Sequence, residues 1–191
     1  MSLVLTGSTS GSCTLQEQAV AGTTTLTLPT FSGTVGLLVS GTAVASTSGT
    51  SIDFTSIPAG VRRITVMFDG VSTNGTSIPI IQLGDSGGVE TTSYVGSAIT
   101  AGGTPTLFTT GAAMSSTWAA TSIISGQVVI ALLNSSTNIW TIASNVGFSN
   151  AGALGQGAFS KTLSATLDRV RITTVGGTDT FDAGSINILY E

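Results

Sequence analysis

The sequence predicts an all-β protein, an antiparallel β-sandwich of jelly-roll type, and three observations carry that expectation. Apolar and polar residues alternate with period two in several stretches, helical periodicity is nearly absent, and Gly, Asn and Pro interrupt the apolar runs at short intervals. About eight to ten short strands without a helix leave a sandwich or jelly roll as the natural architecture.

Taken in chain order, Thr23–Pro29 reads TTTLTLP, with Leu26 and Leu28 on one face and Thr25 and Thr27 on the other. Short strands are expected at Gly33–Val39 and Ser51–Phe54. In Arg62–Phe68 the alternation puts Ile64, Val66 and Phe68 inward and Arg63, Thr65 and Met67 outward, and Asp69-Gly70 ends the strand. Asn74-Gly75 tolerates positive φ and fits a hairpin tip, with Ile78–Leu83 returning. Pro79 cannot donate to a ladder, which puts that return strand at a sheet edge.

Gly84–Gly88, Ala101–Pro105 and Gly152–Gly157 read as loops, and Glu90–Val95 and Thr106–Thr109 as weaker strands. Gln127–Asn134 (QVVIALLN) is apolar on both faces and joins Asn138–Ser144 through a Ser135-Ser136 turn. A strand apolar on both sides wants two covers, one of them the partner sheet and the other a neighbouring subunit. Lys161–Leu167, Arg169–Val175 and Ser185–Tyr190 complete the set, the last alternating Ile186, Ile188 and Tyr190 against Asn187, Leu189 and Glu191.

Composition bounds the function. Only 7% of the 191 residues are charged, against ~25% in ordinary soluble domains, while 41% are hydrophobic. Such a surface must be covered by Ser, Thr, Gly and Asn, or by other subunits. The longest apolar run, Val128–Leu133, is far short of the ~20 residues that span a bilayer as a helix, and the start lacks the basic flank of a signal peptide. Neither membrane insertion nor export is therefore expected. The net charge is −4, with Arg62, Arg63, Lys161, Arg169 and Arg171 the only cations, too few to form a nucleic-acid footprint. Cys13 is the single cysteine, which excludes an internal disulfide and a multi-cysteine zinc site and leaves it the role of a small packed residue.

Residues 1–45 differ from the remainder. Their short strand signals are separated by GSTSGS, AGT and FSGT with almost no aromatic anchor, so one copy cannot bury enough surface to fold alone. Three copies wound about one axis can, which makes this an N-terminal oligomerisation segment intertwined in a trimer, ahead of a sandwich domain at 46–191.

Ser10–Val35, SGSCTLQEQAVAGTTTLTLPTFSGTV, resembles a segment recurring in tailed-phage tail-fibre and related virion appendage proteins. Phe54–Ser77 and Leu163–Glu191 are similar to the carboxy-terminal module that accompanies it. The resemblance implies a virion structural protein, a homotrimer attached through its leading segment to other virion proteins and able to contact a host-surface glycan. Tail fibre, baseplate and capsid surface all remain open as its location, a capsid decoration protein being the alternative, and a carbohydrate-binding receptor-recognition module another.

Catalysis has little to draw on. With no histidine, the commonest general base and nitrogen ligand are missing, so acid-base chemistry would rest on nine carboxylates. Asp85 and Glu90 in GDSGGVE are the most site-like pair, read as a solvated turn against a calcium or sugar contact. GDSGG also resembles a serine-protease nucleophile loop at Ser86, but the triad base is absent. Asp179 and Asp182 are expected to cap turns, and Arg169 and Arg171 to share a face and pair with acids. Among Trp118, Trp140, Tyr94 and Tyr190, the candidates for a sugar-stacking surface, the strand position of Trp140 assigns it to the core. Trp118, in the looser MSSTWAATS, is the candidate exposed or interface aromatic. The expectation is therefore no catalytic residue, no metal and no cofactor, with Trp118, Tyr94, Asp85 and Glu90 as candidate receptor or interface contacts.

Overall fold

The structure, a computed structural model, describes residues 36 and 38–191 and the backbones of Ser2–Thr6 and Ser12–Gln16. The chain divides into two units, Met1–Val35 and Gly36–Glu191. In the first, β1 (Ser2–Thr6) and β2 (Ser12–Gln16) pair antiparallel, with Leu5 opposite Cys13. The strand expected at Thr23–Pro29 lies outside the described residues.

The second unit carries β3 (Val39–Ser40), β4 (Val44–Ala45), β5 (Ile52–Phe54), β6 (Arg63–Thr73), β7 (Pro79–Asp85), β8 (Gly88–Val89) and β9 (Val95–Thr100). It continues with β10 (Thr106–Leu107), β11 (Ala112–Ala113), β12 (Ile124–Asn134), β13 (Ile139–Phe148), β14 (Ala153–Thr162), β15 (Arg169–Thr174) and β16 (Phe181–Tyr190). Two antiparallel sheets pack as a sandwich. The larger runs β10-β9-β14-β13-β12-β6-β16-β3, with β4 also on β16; the smaller runs β11-β7-β15-β5, with β8 on β7.

Alternation fills the space between them. Ile64, Val66 and Phe68 of β6, Val128 and Ile130 of β12 and Ile142 of β13 are buried in one continuous apolar cluster with Ile81 and Leu83 of β7 and Val170 and Ile172 of β15. Trp140 joins them, as its strand predicts. The β12–β13 hairpin forms as expected and extends further, from Leu132 opposite Trp140 to Ile124 opposite Phe148. The turn places Asn138 at φ 51°, a conformation asparagine tolerates.

Five local expectations change, one of them at Glu90–Val95, which is connection between β8 and β9 with only Val95 in a strand. Asp69-Gly70 does not end β6: Gly70 takes φ 62° in an irregular stretch and the strand continues to Thr73, with the Gly70 N–H donating to Ser125 Oγ at 3.0 Å. Asn74-Gly75 is not a hairpin tip, because β6 and β7 lie in different sheets. It is a crossing, tied to the turn before β16 by Asn74 N–H to Thr180 O and Thr180 N–H to Asn74 Oδ1, both 2.9 Å. β7 is an interior strand, and Pro79 is accommodated as its first residue, opposite Thr174. Gly152–Gly157 is not a loop throughout: β14 begins at Ala153 and stops at Thr162, so most of Lys161–Leu167 is connection instead.

β3 and β4 both pair with β16, so residues that composition groups with the leading segment belong to the large sheet.

Candidate functional site

Three of the four candidate residues meet at one place, and the fourth stands elsewhere. The β7–β8 turn presents Asp85, the segment after β8 brings Glu90 and Tyr94, and the end of β14 supplies Lys161 with Ser164 just beyond it. Trp118 lies at the opposite end of the sandwich, where Phe148 of β13 sits, whereas Lys161 pairs with Trp140 at the other end of that strand.

Asp85 is buried and doubly engaged: Oδ1 accepts the Gly87 N–H at 2.8 Å and Oδ2 the Ser164 hydroxyl at 2.7 Å. The Ser164 bond, followed by the Gly87 bond, holds its carboxyl below the usual range against the opposing effect of burial. Glu90 accepts the Ser164 N–H through Oε1 at 2.7 Å and meets Lys161 Nζ through Oε2 at 2.5 Å. Burial pushes the Glu90 carboxyl up, yet the bonds from Lys161 and Ser164 together outweigh it and leave the group below its ordinary value.

Lys161 is only 3% exposed, and its ammonium also donates to Thr92 O at 3.0 Å and stands 5.4 Å from the Tyr94 ring centroid. Tyr94 is fully buried, so its ring offers no stacking surface to a sugar. Its hydroxyl oxygen accepts the Leu83 N–H at 2.6 Å and its O–H donates to Glu90 O at 3.1 Å, and burial pushes the phenol well up. The tyrosine thus serves β7 as a hydrogen-bond partner where the β11 ladder does not reach.

This network holds loops. Each carboxylate and the ammonium is engaged by protein partners. Trp118 is half-buried, donates from Nε1 to Thr73 Oγ1 at 2.8 Å and tilts over Phe148 with ring centroids 5.9 Å apart. Sequence reasoning missed Lys161 and Ser164 as the partners of the acidic pair. The available signal was the chain's one lysine, set at the end of an otherwise uncharged stretch.

Two surfaces complete the inventory. On the large sheet, outward positions form rows across the strands, one of them Gln156, Asn145, Gln127, Met67 and Asn187, and the next Ser97, Ala158, Ala143 and Val129. Across β9, β14, β13 and β12 these outward positions carry no charged side chain. Leu107 (80% exposed), Val95 (70%) and Leu154 (52%) stand along its β9–β10 side, beside a shallow groove of about 360 Å³ lined by Ser97, Ile99, Pro105, Gln156 and Ala158. On the small sheet, the outward positions of β5 and β15 are polar, and β7 sets Gln82 beside them. Arg171, Gln82 and Asp53 lie side by side in register, with Thr173 next along β15, beneath a groove of about 500 Å³. Arg171 grips Asp53 with two bonds, Nε to Oδ1 at 2.7 Å and an amino group to Oδ2 at 2.8 Å, which pairs it across the strands as its position predicts.

Comparison with protein-family profiles, curated proteins and solved structures finds no match to this chain.

Proposed function

We propose that this chain is a structural protein of a tailed-phage virion, a tail fibre or tail appendage component, which assembles as a homotrimer through the outer face of its large sheet. One observation carries the assembly half of that reading: an uncharged face spanning four adjacent strands, bordered by three exposed large apolar side chains. A stable interface needs ~800 Å² per partner of well-fitted surface with little charge at its centre, and here neutral Gln, Asn, Ser and Ala positions are edged by Val95, Leu107 and Leu154. The virion half rests on the resemblance of Phe54–Ser77 and Leu163–Glu191 to an appendage module. Those two stretches, remote in sequence, are neighbours in the large sheet as β6 beside β16, and in the small sheet Phe54, the last residue of β5, stands opposite Val170 of β15.

Light scattering on the full chain at micromolar concentration tests the assembly, with the expected mass three times the 19.0 kDa of one chain. A monomer would overturn it. The paired substitution Val95→Lys with Leu107→Lys introduces charge on the exposed strip without touching the core, and should yield a folded monomer. Labelling of intact particles then separates tail from capsid, and signal on the head would replace the tail reading with that of a decoration protein.

A further inference from the structure

We infer that a cleft beside the β12–β13 turn binds a short aliphatic carboxylate, its oxygens on Arg62 and the Trp140 indole N–H and its alkyl chain on an apolar floor. Trp140 is 2% exposed, and its Nε1–H meets no acceptor among the described residues, although buried polar groups are as a rule hydrogen-bonded. The other tryptophan follows that rule: Trp118 gives its N–H to Thr73 Oγ1 at 2.8 Å. Trp140 lines a cleft of about 170 Å³, formed where the turn at 58–62, the β12–β13 turn and the segment before β15 come together.

The lining selects the occupant. Val61, Leu132 and Leu167 belong to the core or pack against it, and they give the cleft its apolar surface. Ser135, Asn138 and Thr166 can each donate or accept, so the fixed demands come from Arg62 and Trp140, which only donate. Arg62 is exposed and makes no ion pair among the described residues, and no acidic side chain lines the cleft. Glu191, whose carbonyl accepts the Arg62 N–H, has its carboxylate on Arg63, and Asp168, next to Leu167, is held by Arg169. A charged acceptor with two oxygens answers both donors at once. The volume lies below the roughly 300 Å³ at which clefts for drug-sized ligands begin. An acid of a few carbons fits it, either free or as a glutamate side chain presented by another polypeptide. The cleft lies within one chain, so carboxylate binding is independent of trimer assembly and the two can fail separately.

With two tryptophans in the chain, the indole region of a proton–nitrogen correlation spectrum holds two signals. Titrating the full chain with butyrate should move the Trp140 signal downfield and leave that of Trp118, already bonded to Thr73, in place. Butyramide, of the same shape without the charge, should move neither. A glutamate blocked at both ends forms a parallel arm, and the tighter of the two acids identifies the source. Arg62→Gln should weaken binding about tenfold, the loss expected when a charge-assisted hydrogen bond is removed, while the melting temperature holds because Arg62 is exposed. A Trp140 signal that neither acid moves at millimolar concentration, that butyramide moves equally, or whose response survives Arg62→Gln would overturn the assignment. So would an indole proton that keeps a strong exchange cross-peak to water throughout the titration, which assigns the orphan donor to a bound water.

Discussion

At the scale of single residues, the polar cluster around Lys161 is where a small change does most damage. Lys161→Met leaves the Glu90 carboxylate without its ammonium in a half-buried position, and removing one member of a buried ion pair costs about 3 kcal/mol. Urea denaturation should show a lowered midpoint with an unchanged slope. Tyr94→Phe strands the Leu83 N–H and should lower stability by about 1–3 kcal/mol, measured the same way. Because the Asp85 and Glu90 carboxyls titrate below their ordinary values when folded, the unfolded chain binds more protons in acid. Their contribution is complete above about pH 5 and disappears as pH falls through the folded values. Calorimetry should therefore find a steady melting temperature from neutral to mildly acidic pH and a decline below about pH 4, less steep in Glu90→Gln. Sequence picked out Asp85 and Glu90 as a pair but read them as solvated. Their partners, Lys161 and Ser164, are more than seventy residues downstream, and only the closed sandwich brings the four together.

At the scale of elements, regular alternation was legible and glycine was not. Ile64, Val66 and Phe68 announce the inner face of β6, and Leu132 to Trp140 announces a hairpin, because a period of two needs only local sequence to be recognised. Gly155 and Gly157 look like loop residues in isolation. They sit inside β14 because the segment through Ala113 and Met114 crosses directly over them: a Cβ on Gly157 would lie 2.3 Å from Ala113 O, and one on Gly155 2.5 Å from Met114 O. Close backbone approach, rather than flexibility, explains both glycines. Gly157→Ala should destabilise the chain by about 1–3 kcal/mol through overpacking, visible as a drop in melting temperature, while Gly152→Ala, at φ 60° with open space around it, should cost less.

At the scale of the whole molecule, the two outer faces of the sandwich differ in chemistry. One is uncharged across β9, β14, β13 and β12 and edged with Leu107, Val95 and Leu154; the other carries a hydroxyl-lined groove. Composition foretold that low charge needs covering, but not which face, since the outward residues of the large sheet come from strands scattered between Arg63 and Tyr190 and only the register aligns them. If the uncharged face is the assembly surface, the lysine variants at Val95 and Leu107 should separate subunits and leave each chain folded, which light scattering and a thermal melt on the same sample would reveal.

The position of β6 has a further effect. Its two neighbours, β12 and β16, begin only at Ile124 and Phe181, so the middle of the large sheet is zipped from stretches that a nascent or refolding chain must bring together across long spans. Loop-closure entropy has to be overcome before any of that pairing rewards it, and such topologies of high contact order cross their barrier in milliseconds to seconds rather than microseconds. While β6 waits, its Ile64, Val66 and Phe68 side is bare and its ladder groups are unmatched, and crowded subunits are then most exposed to mispairing. Stopped-flow refolding at increasing protein concentration should accordingly lose yield before it loses speed.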